Sequence, residues 1–134
     1  MPSVIDVEGI GPKYAEKLKK AGIATTDTLL KKGAAPKGRE AIVKATGISH
    51  DLILHWVNFV DLYRIKGVGS EYSELLEKAG VDTVVELSKR VPENLVAKMS
   101  EINKAKKLVR RMPTLKEAKA WIAQAKKLPR VITY

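Results

Sequence analysis

Residues 8–23 read EGIGPKYAEKLKKAGI, and residues 66–81 read KGVGSEYSELLEKAGV. At an offset of 58, Gly9, Gly11, Tyr14, Glu16 and Leu18 meet Gly67, Gly69, Tyr72, Glu74 and Leu76. Lys20-Ala21-Gly22 meets Lys78-Ala79-Gly80, and Thr25, Leu29 and Lys31 meet Thr83, Leu87 and Lys89. Chance rarely produces that density of matches. It reads as an internal duplication, a far stronger signal than a lone Gly-x-Gly.

Each copy carries its own helix punctuation. Pro12 suits the first position of a helix, because its missing amide has no intrahelical partner there, and Gly22 supplies a left-handed stop. The predicted helix Pro12–Ala21 places Tyr14, Leu18 and Ala21 on one face and Lys13, Lys17 and Lys20 on another. Shorter helices are expected at Thr26–Lys32 and Arg39–Thr46, with GAAPKG as a linker between them. Ser49 caps a long helix to Tyr63, with Ile48 placed to staple onto Ile53. Leu52, Ile53, Trp56, Val57, Val60 and Tyr63 give that helix a wide apolar stripe, so it should be central and mostly buried.

The second half restarts with helices at Ser70–Ala79, Thr83–Lys89 and Pro92–Met99. Here the match moves to an offset of 54: Lys44, Ile48 and Leu54 meet Lys98, Ile102 and Leu108. Asn103 thereby takes the place of Ser49, and a helix is expected from it to Met112. Pro113 breaks that helix. Thr114 and Glu117 form a T-x-x-E capping box for a last helix to Lys127, with Ala118, Trp121, Ile122 and Ala125 on one face. No segment reads as a strand. The expectation is an all-α protein of eight to ten short helices, in two pseudo-repeats over residues 1–64 and 65–134 that share one core.

Composition agrees. The chain has 134 residues, 45% of them hydrophobic, 5% aromatic and none cysteine. Disulfides and thiolate metal sites are excluded. No apolar run approaches a membrane span, and MPSVIDVEG lacks the basic start and apolar core of a signal peptide. A cytoplasmic protein without a membrane partner is expected. The net charge of +10 is concentrated. Residues 98–134 hold eleven Lys and Arg against two Glu, a net of +9, which leaves +1 for the rest. Such a basic block suits a polyanionic partner.

At Gly9-Ile10-Gly11 and Gly67-Val68-Gly69 the sequence resembles the helix-hairpin-helix family. The stretch TGISHDLILHWVNFVDLYRIKGVG, residues 46–69, also resembles an uncharacterised bacterial family with two such motifs. The resemblance implies sequence-independent binding of duplex DNA, with backbone amides at the start of the second helix directed at a phosphate oxygen. The physics stands apart from the family. A helix N-terminus has unpaired N–H groups and partial positive charge. Glycine lets a phosphate approach the backbone.

The expected contact set is Gly9, Ile10, Gly11, Lys13, Lys17 and Lys20 in the first copy and Gly67, Val68 and Gly69 in the second. Lys104, Lys107, Arg110 and Arg111 are added from the basic C-terminal helix. The second copy departs from the pattern: Lys13, Lys17 and Lys19 are matched by Glu71, Leu75 and Glu77. A carboxylate at a helix start already satisfies the dipole and repels phosphate. The first copy departs as well, since only MPSVIDVE precedes its glycines.

Catalysis finds little in the sequence. No Ser-His-Asp set assembles, and no G-x-x-x-x-G-K-[ST] occurs. A base-flipping glycosylase needs a second domain for which this chain has no room. His50 and His55 are spaced i, i+5, which does not suit a shared metal. No catalytic residue, metal, cofactor or small-molecule substrate is expected. The leading expectation is nucleic-acid binding, duplex DNA preferred. The alternative is a protein-interaction module whose glycine hairpins are only turns.

Overall fold

The computed structural model describes residues 3–134 and is all-helical over them. A 3-10 turn at Val4–Asp6 precedes eight α-helices: α1 Pro12–Lys20, α2 Thr26–Gly33, α3 Pro36–Thr46, α4 His50–Leu62, α5 Ser70–Lys78, α6 Val84–Ser88, α7 Pro92–Lys106 and α8 Leu115–Lys127. Among the described residues there is no strand; the one β-type pairing is an isolated bridge between Ser3 and Thr25. The chain forms two compact units. One holds residues up to Asp61 together with Val131–Tyr134, the other Leu62–Arg130.

In the first unit α1 packs on the 3-10 turn and on α3, and α3 also packs on α2. Val4, Val7, Ile10, Leu18, Ile23, Leu29, Ile42, Ile53, Trp56 and Val57 are buried. α2 ends hard against α4: a Cβ on Gly33 would lie 2.5 Å from Val57 Cγ2. In the second unit α5 packs on α7, and α6 and α7 pack on α8. Its core gathers Leu62, Ile65, Val68, Leu75, Leu76, Leu87, Met99, Trp121 and Ile122.

Most expected boundaries lie within two residues of the observed ones. Three differ in substance. GAAPKG is not a linker: Pro36 takes the first position of α3, so only Ala34 and Ala35 separate it from α2. α7 does not stop at Met99 but runs on to Lys106, since nothing between Met99 and Lys106 breaks it. The helix from Asn103 to Met112 does not exist. Asn103 lies in the last turn of α7, and its amide closes a loop instead. Asn103 Nδ2 donates to Val109 O at 3.2 Å, and Val109 N donates to Asn103 Oδ1 at 3.0 Å. Lys107 adopts the left-handed conformation, φ 51°, and ends the helix.

The first unit is closed by its most distant segment. Arg39, 2% exposed, sends its charge into backbone carbonyls rather than a carboxylate. Nη1 donates to Gly33 O at 2.8 Å and Ala34 O at 3.1 Å, at the C-terminal end of α2. Nη2 donates to Thr133 O at 2.7 Å, and Thr133 N returns a bond to Ala34 O at 2.8 Å. The guanidinium also sits 5.8 Å from the centre of the Tyr134 ring. A cation at a helix C-terminus suits the dipole. Replacing it with Met would keep the apolar stem and take the donor from Gly33 O and Thr133 O, while Ala34 O keeps Thr133 N. Arg39→Met is therefore expected to lower stability by roughly 2–3 kcal/mol in urea unfolding, and Arg39→Lys to rescue only part of it, because an ammonium lacks the planar fork.

Candidate functional site

The two Gly-x-Gly stretches are built alike at close range. Ile10 N donates to Val7 O at 3.0 Å, and Val68 N donates to Ile65 O at 3.1 Å. Gly9 and Gly67 stand third in these turns at φ 90° and 96°. That geometry asks for glycine, since a side chain in this region is strained. Each turn is backed by an aromatic pair from its own unit. A Cβ on Gly9 would lie 3.4 Å from the Trp56 indole nitrogen, and one on Gly67 would lie 3.2 Å from that of Trp121. Tyr14 packs on Trp56 at 5.1 Å between ring centres and 60° between planes, and Tyr72 on Trp121 at 5.4 Å and 51°. Ile10 and Val68 point inward and are buried.

The second glycine of each stretch is of another kind. Gly11 and Gly69 are the N-caps of α1 and α5, at φ −81° and −109°. Any residue adopts such angles, and a Cβ on either would meet nothing within 4 Å. Other helices of the chain supply a hydroxyl at this position. Thr25, Thr83 and Thr114 cap α2, α6 and α8, and Ser49 Oγ accepts from Leu52 N at the start of α4. α1 and α5 have no side-chain cap. The first ladder bonds are Ala15 N to Gly11 O and Ser73 N to Gly69 O, both 2.9 Å. The amides of Lys13 and Tyr14, and of Ser70, Glu71 and Tyr72, precede them and have no helical acceptor.

The charges around the two ends differ. α1 has no acid in its first turn, and Lys13, Lys17 and Lys20 are exposed, Lys20 beside Glu16 at 3.3 Å. α5 has Glu71 in its first turn. The basic residues expected on one C-terminal helix are dispersed. Lys104 lies in the last turn of α7, Lys107 is the left-handed cap, and Arg110 and Arg111 lie in the irregular segment before α8. Lys104, Lys107 and Arg111 therefore do not form a helical face. Arg111 is already engaged, its two guanidinium nitrogens at 2.8 and 2.9 Å from the Glu117 carboxylate oxygens. Tyr72 Oη donates to Arg111 O at 2.9 Å, which brings this segment's backbone beside the start of α5.

Glu117 also completes the T-x-x-E box, accepting from Thr114 N at 3.0 Å while Thr114 Oγ1 accepts from Glu117 N at 3.1 Å. The Arg111 guanidinium, and then the Thr114 amide, hold its carboxyl at a pKa of about 2. Arg111 is pushed above its ordinary range by the same bond.

Two features escaped the sequence reading. One is Arg39, for which the sequence carries no signal. The other is a cavity of about 410 Å³ bordered by Lys89, Arg90 and Lys98. Its signal was available, as three cations on either side of Val91-Pro92. Among the described residues no group of His, Cys, Asp or Glu could hold a metal ion, and no helix is long and apolar enough to cross a membrane.

These features define an all-helical protein with two uncapped, glycine-started helices. The chain belongs to the family described as a domain of unknown function (DUF4332), whose model matches residues 8–128. No curated protein and no solved structure matches it.

Two measurements follow from this geometry. Gly9→Ala forces a side chain into positive φ against an indole, and is expected to cost about 1–2 kcal/mol in thermal or urea unfolding. Glu117 has a folded pKa below its ordinary value, so its contribution is complete above about pH 4.5 and is lost as pH falls towards 2. An acid-unfolding series should fall less steeply across that window in Glu117→Gln than in the parent.

Proposed function

We propose that the chain is a tandem helix-hairpin-helix protein that binds duplex DNA through its backbone phosphates, without reading sequence. On this reading the two units are copies. The offset of 58 over the hairpins becomes 65 at Ser49 and Thr114 and at Trp56 and Trp121, because α7 is longer than α3 by four residues and a loop follows it. On this reading the matches at an offset of 54 are coincidental.

The observation that carries the proposal is the choice of glycine at position 11. The turn has no steric need for it. A Ser, Thr, Asp or Asn would cap α1 at least as well. Glycine leaves the first-turn amides uncovered and lets an anion reach them. Lys13 and Lys17 stand on the same helix, where they add a screened attraction. The α1 end is thus the stronger of the two, and the α5 end, with Glu71, the weaker. Lys104, Lys107 and Arg110 contribute a diffuse positive field rather than a contact ladder, and Arg111 contributes less because Glu117 neutralises it.

Fluorescence anisotropy on a random duplex over a salt series tests the proposal. Two or three lysine–phosphate contacts give a log–log slope of roughly −1.8 to −2.7, with micromolar or weaker affinity at physiological salt. Lys13→Glu should weaken binding for every sequence and flatten the slope by about one contact. Gly11→Asp separates this from folding: its carboxylate caps α1 and repels phosphate. It should raise stability by a few tenths to about 1 kcal/mol while DNA affinity falls. Parent-like binding in both variants would leave Gly-Ile-Gly as a turn and the protein-interaction module as the better account.

A further inference from the structure

The second unit holds a concave basic site at the opposite end of α5 from Gly69. At 1.5 Å per residue the nine residues of α5 separate the two by about 13 Å. The cavity of about 410 Å³ falls within the range of small-molecule sites. Ala79, Val91 and Leu95 form its apolar lining, and Lys89, Arg90, Asn94 and Lys98 its polar lining. None of these side chains is acidic.

Each polar group has a distinct setting. Arg90 Nη2 donates to Gly80 O at 2.8 Å and to Glu86 Oε1 at 2.7 Å. Those bonds fix the guanidinium at the rim and offset one charge. Lys89 and Lys98 are exposed and, among the described residues, engaged in no ion pair. Asn94 and Lys98 lie one turn apart on α7, and Leu95 lies one turn beyond Val91, the N-cap residue of that helix, so the cavity borders the first two turns of α7. That helix also opens without a side-chain cap, though Glu93 in its first turn offsets part of the dipole as Glu71 does on α5. Its first ladder bond is Leu95 N to Val91 O at 2.9 Å, so the amides of Glu93 and Asn94 have no helical acceptor.

The first unit provides an internal contrast. Beside Ala21 it has a cavity of about 290 Å³, lined by Ile23, Gly38, Ala41, Ile42 and Ala45 with Lys32 its single charged residue. Concavity in this place is thus common to both units, and the cluster of cations belongs to the second alone.

We propose that the cavity bordered by Lys89, Arg90, Asn94 and Lys98 binds a small organic phosphate, a phosphate monoester on a compact uncharged body. A monoester brings close to two negative charges and three acceptor oxygens, which suits several cations better than a carboxylate does. The apolar lining faces the body of the ligand. A duplex backbone offers only singly charged diesters on a broad convex surface, so this site is separate from the Gly11 end of α1.

Isothermal titration of the full chain with adenosine 5′-monophosphate tests the proposal, with adenosine and inorganic phosphate as further probes. One nucleotide should bind per chain, more tightly than inorganic phosphate, and adenosine should bind at least roughly tenfold more weakly. Lys89→Gln and Lys98→Gln, both at exposed positions, should each weaken the nucleotide by roughly tenfold, and Lys13→Gln should leave it unchanged. Absence of nucleotide binding would overturn the proposal. So would adenosine or inorganic phosphate binding as tightly as the nucleotide, or an equal loss in Lys13→Gln. Nucleotide binding that survives a duplex competitor would stand even if duplex binding at α1 failed.

Discussion

The contact on which each unit depends is an indole edge laid against a glycine backbone. Trp56 reaches Gly9 from α4, and Trp121 reaches Gly67 from α8. Both tryptophans are almost fully buried, and each is flanked by the tyrosine of the helix that follows the turn. This one contact joins a local constraint to a distant one. The turn needs positive φ at its third residue, and glycine provides it. The missing Cβ then makes room for the largest side chain in the chain. With the turn so held, Ile10 and Val68 are driven into the core, and α1 and α5 start at fixed points on the surface.

What happens at those starting points is governed by capping. A helix leaves four amides unpaired at its N-terminus, and most chains cover them with a hydroxyl or carboxylate. This chain does so at α2, α4, α6 and α8. The odd-numbered helices are left bare. Gly11 and Gly69 hold two of these positions, where the side chain most often used for capping is absent and space is open. The N-terminal end of α7 lies beside three cations. Unpaired amides next to positive charge are the ordinary chemistry of anion recognition.

Much of this was legible in the sequence, because the signals were local. Pro12 and Pro92 open helices as expected, and Thr114 with Glu117 forms the expected box. The apolar stripe of α4 is buried from Trp56 to Val60. The failures came where a distant or looping contact overrides propensity. INKAKKLVRRM is rich in good helix formers, yet Asn103 grips Val109 and turns the chain out of the helix. The basic face expected there dissolved with it. Arg39 stands where the expected helix begins, directly after GAAPKG. Its burial depends on Thr133, 94 residues away, which no periodicity reports. The sequence placed both tryptophans in the core correctly, but not against the glycines, since that pairing is a tertiary one.

The central claim is that Gly11 leaves the first amides of α1 open to a backbone phosphate. It is tested most directly by titrating a random-sequence duplex into uniformly ¹⁵N-labelled protein and following the amide shifts. The account predicts that the largest changes fall on Gly11, Lys13 and Tyr14, with smaller ones at Lys17 and at the start of α5. Shifts confined to residues 104–111, or none anywhere at concentrations where the duplex binds, would contradict it.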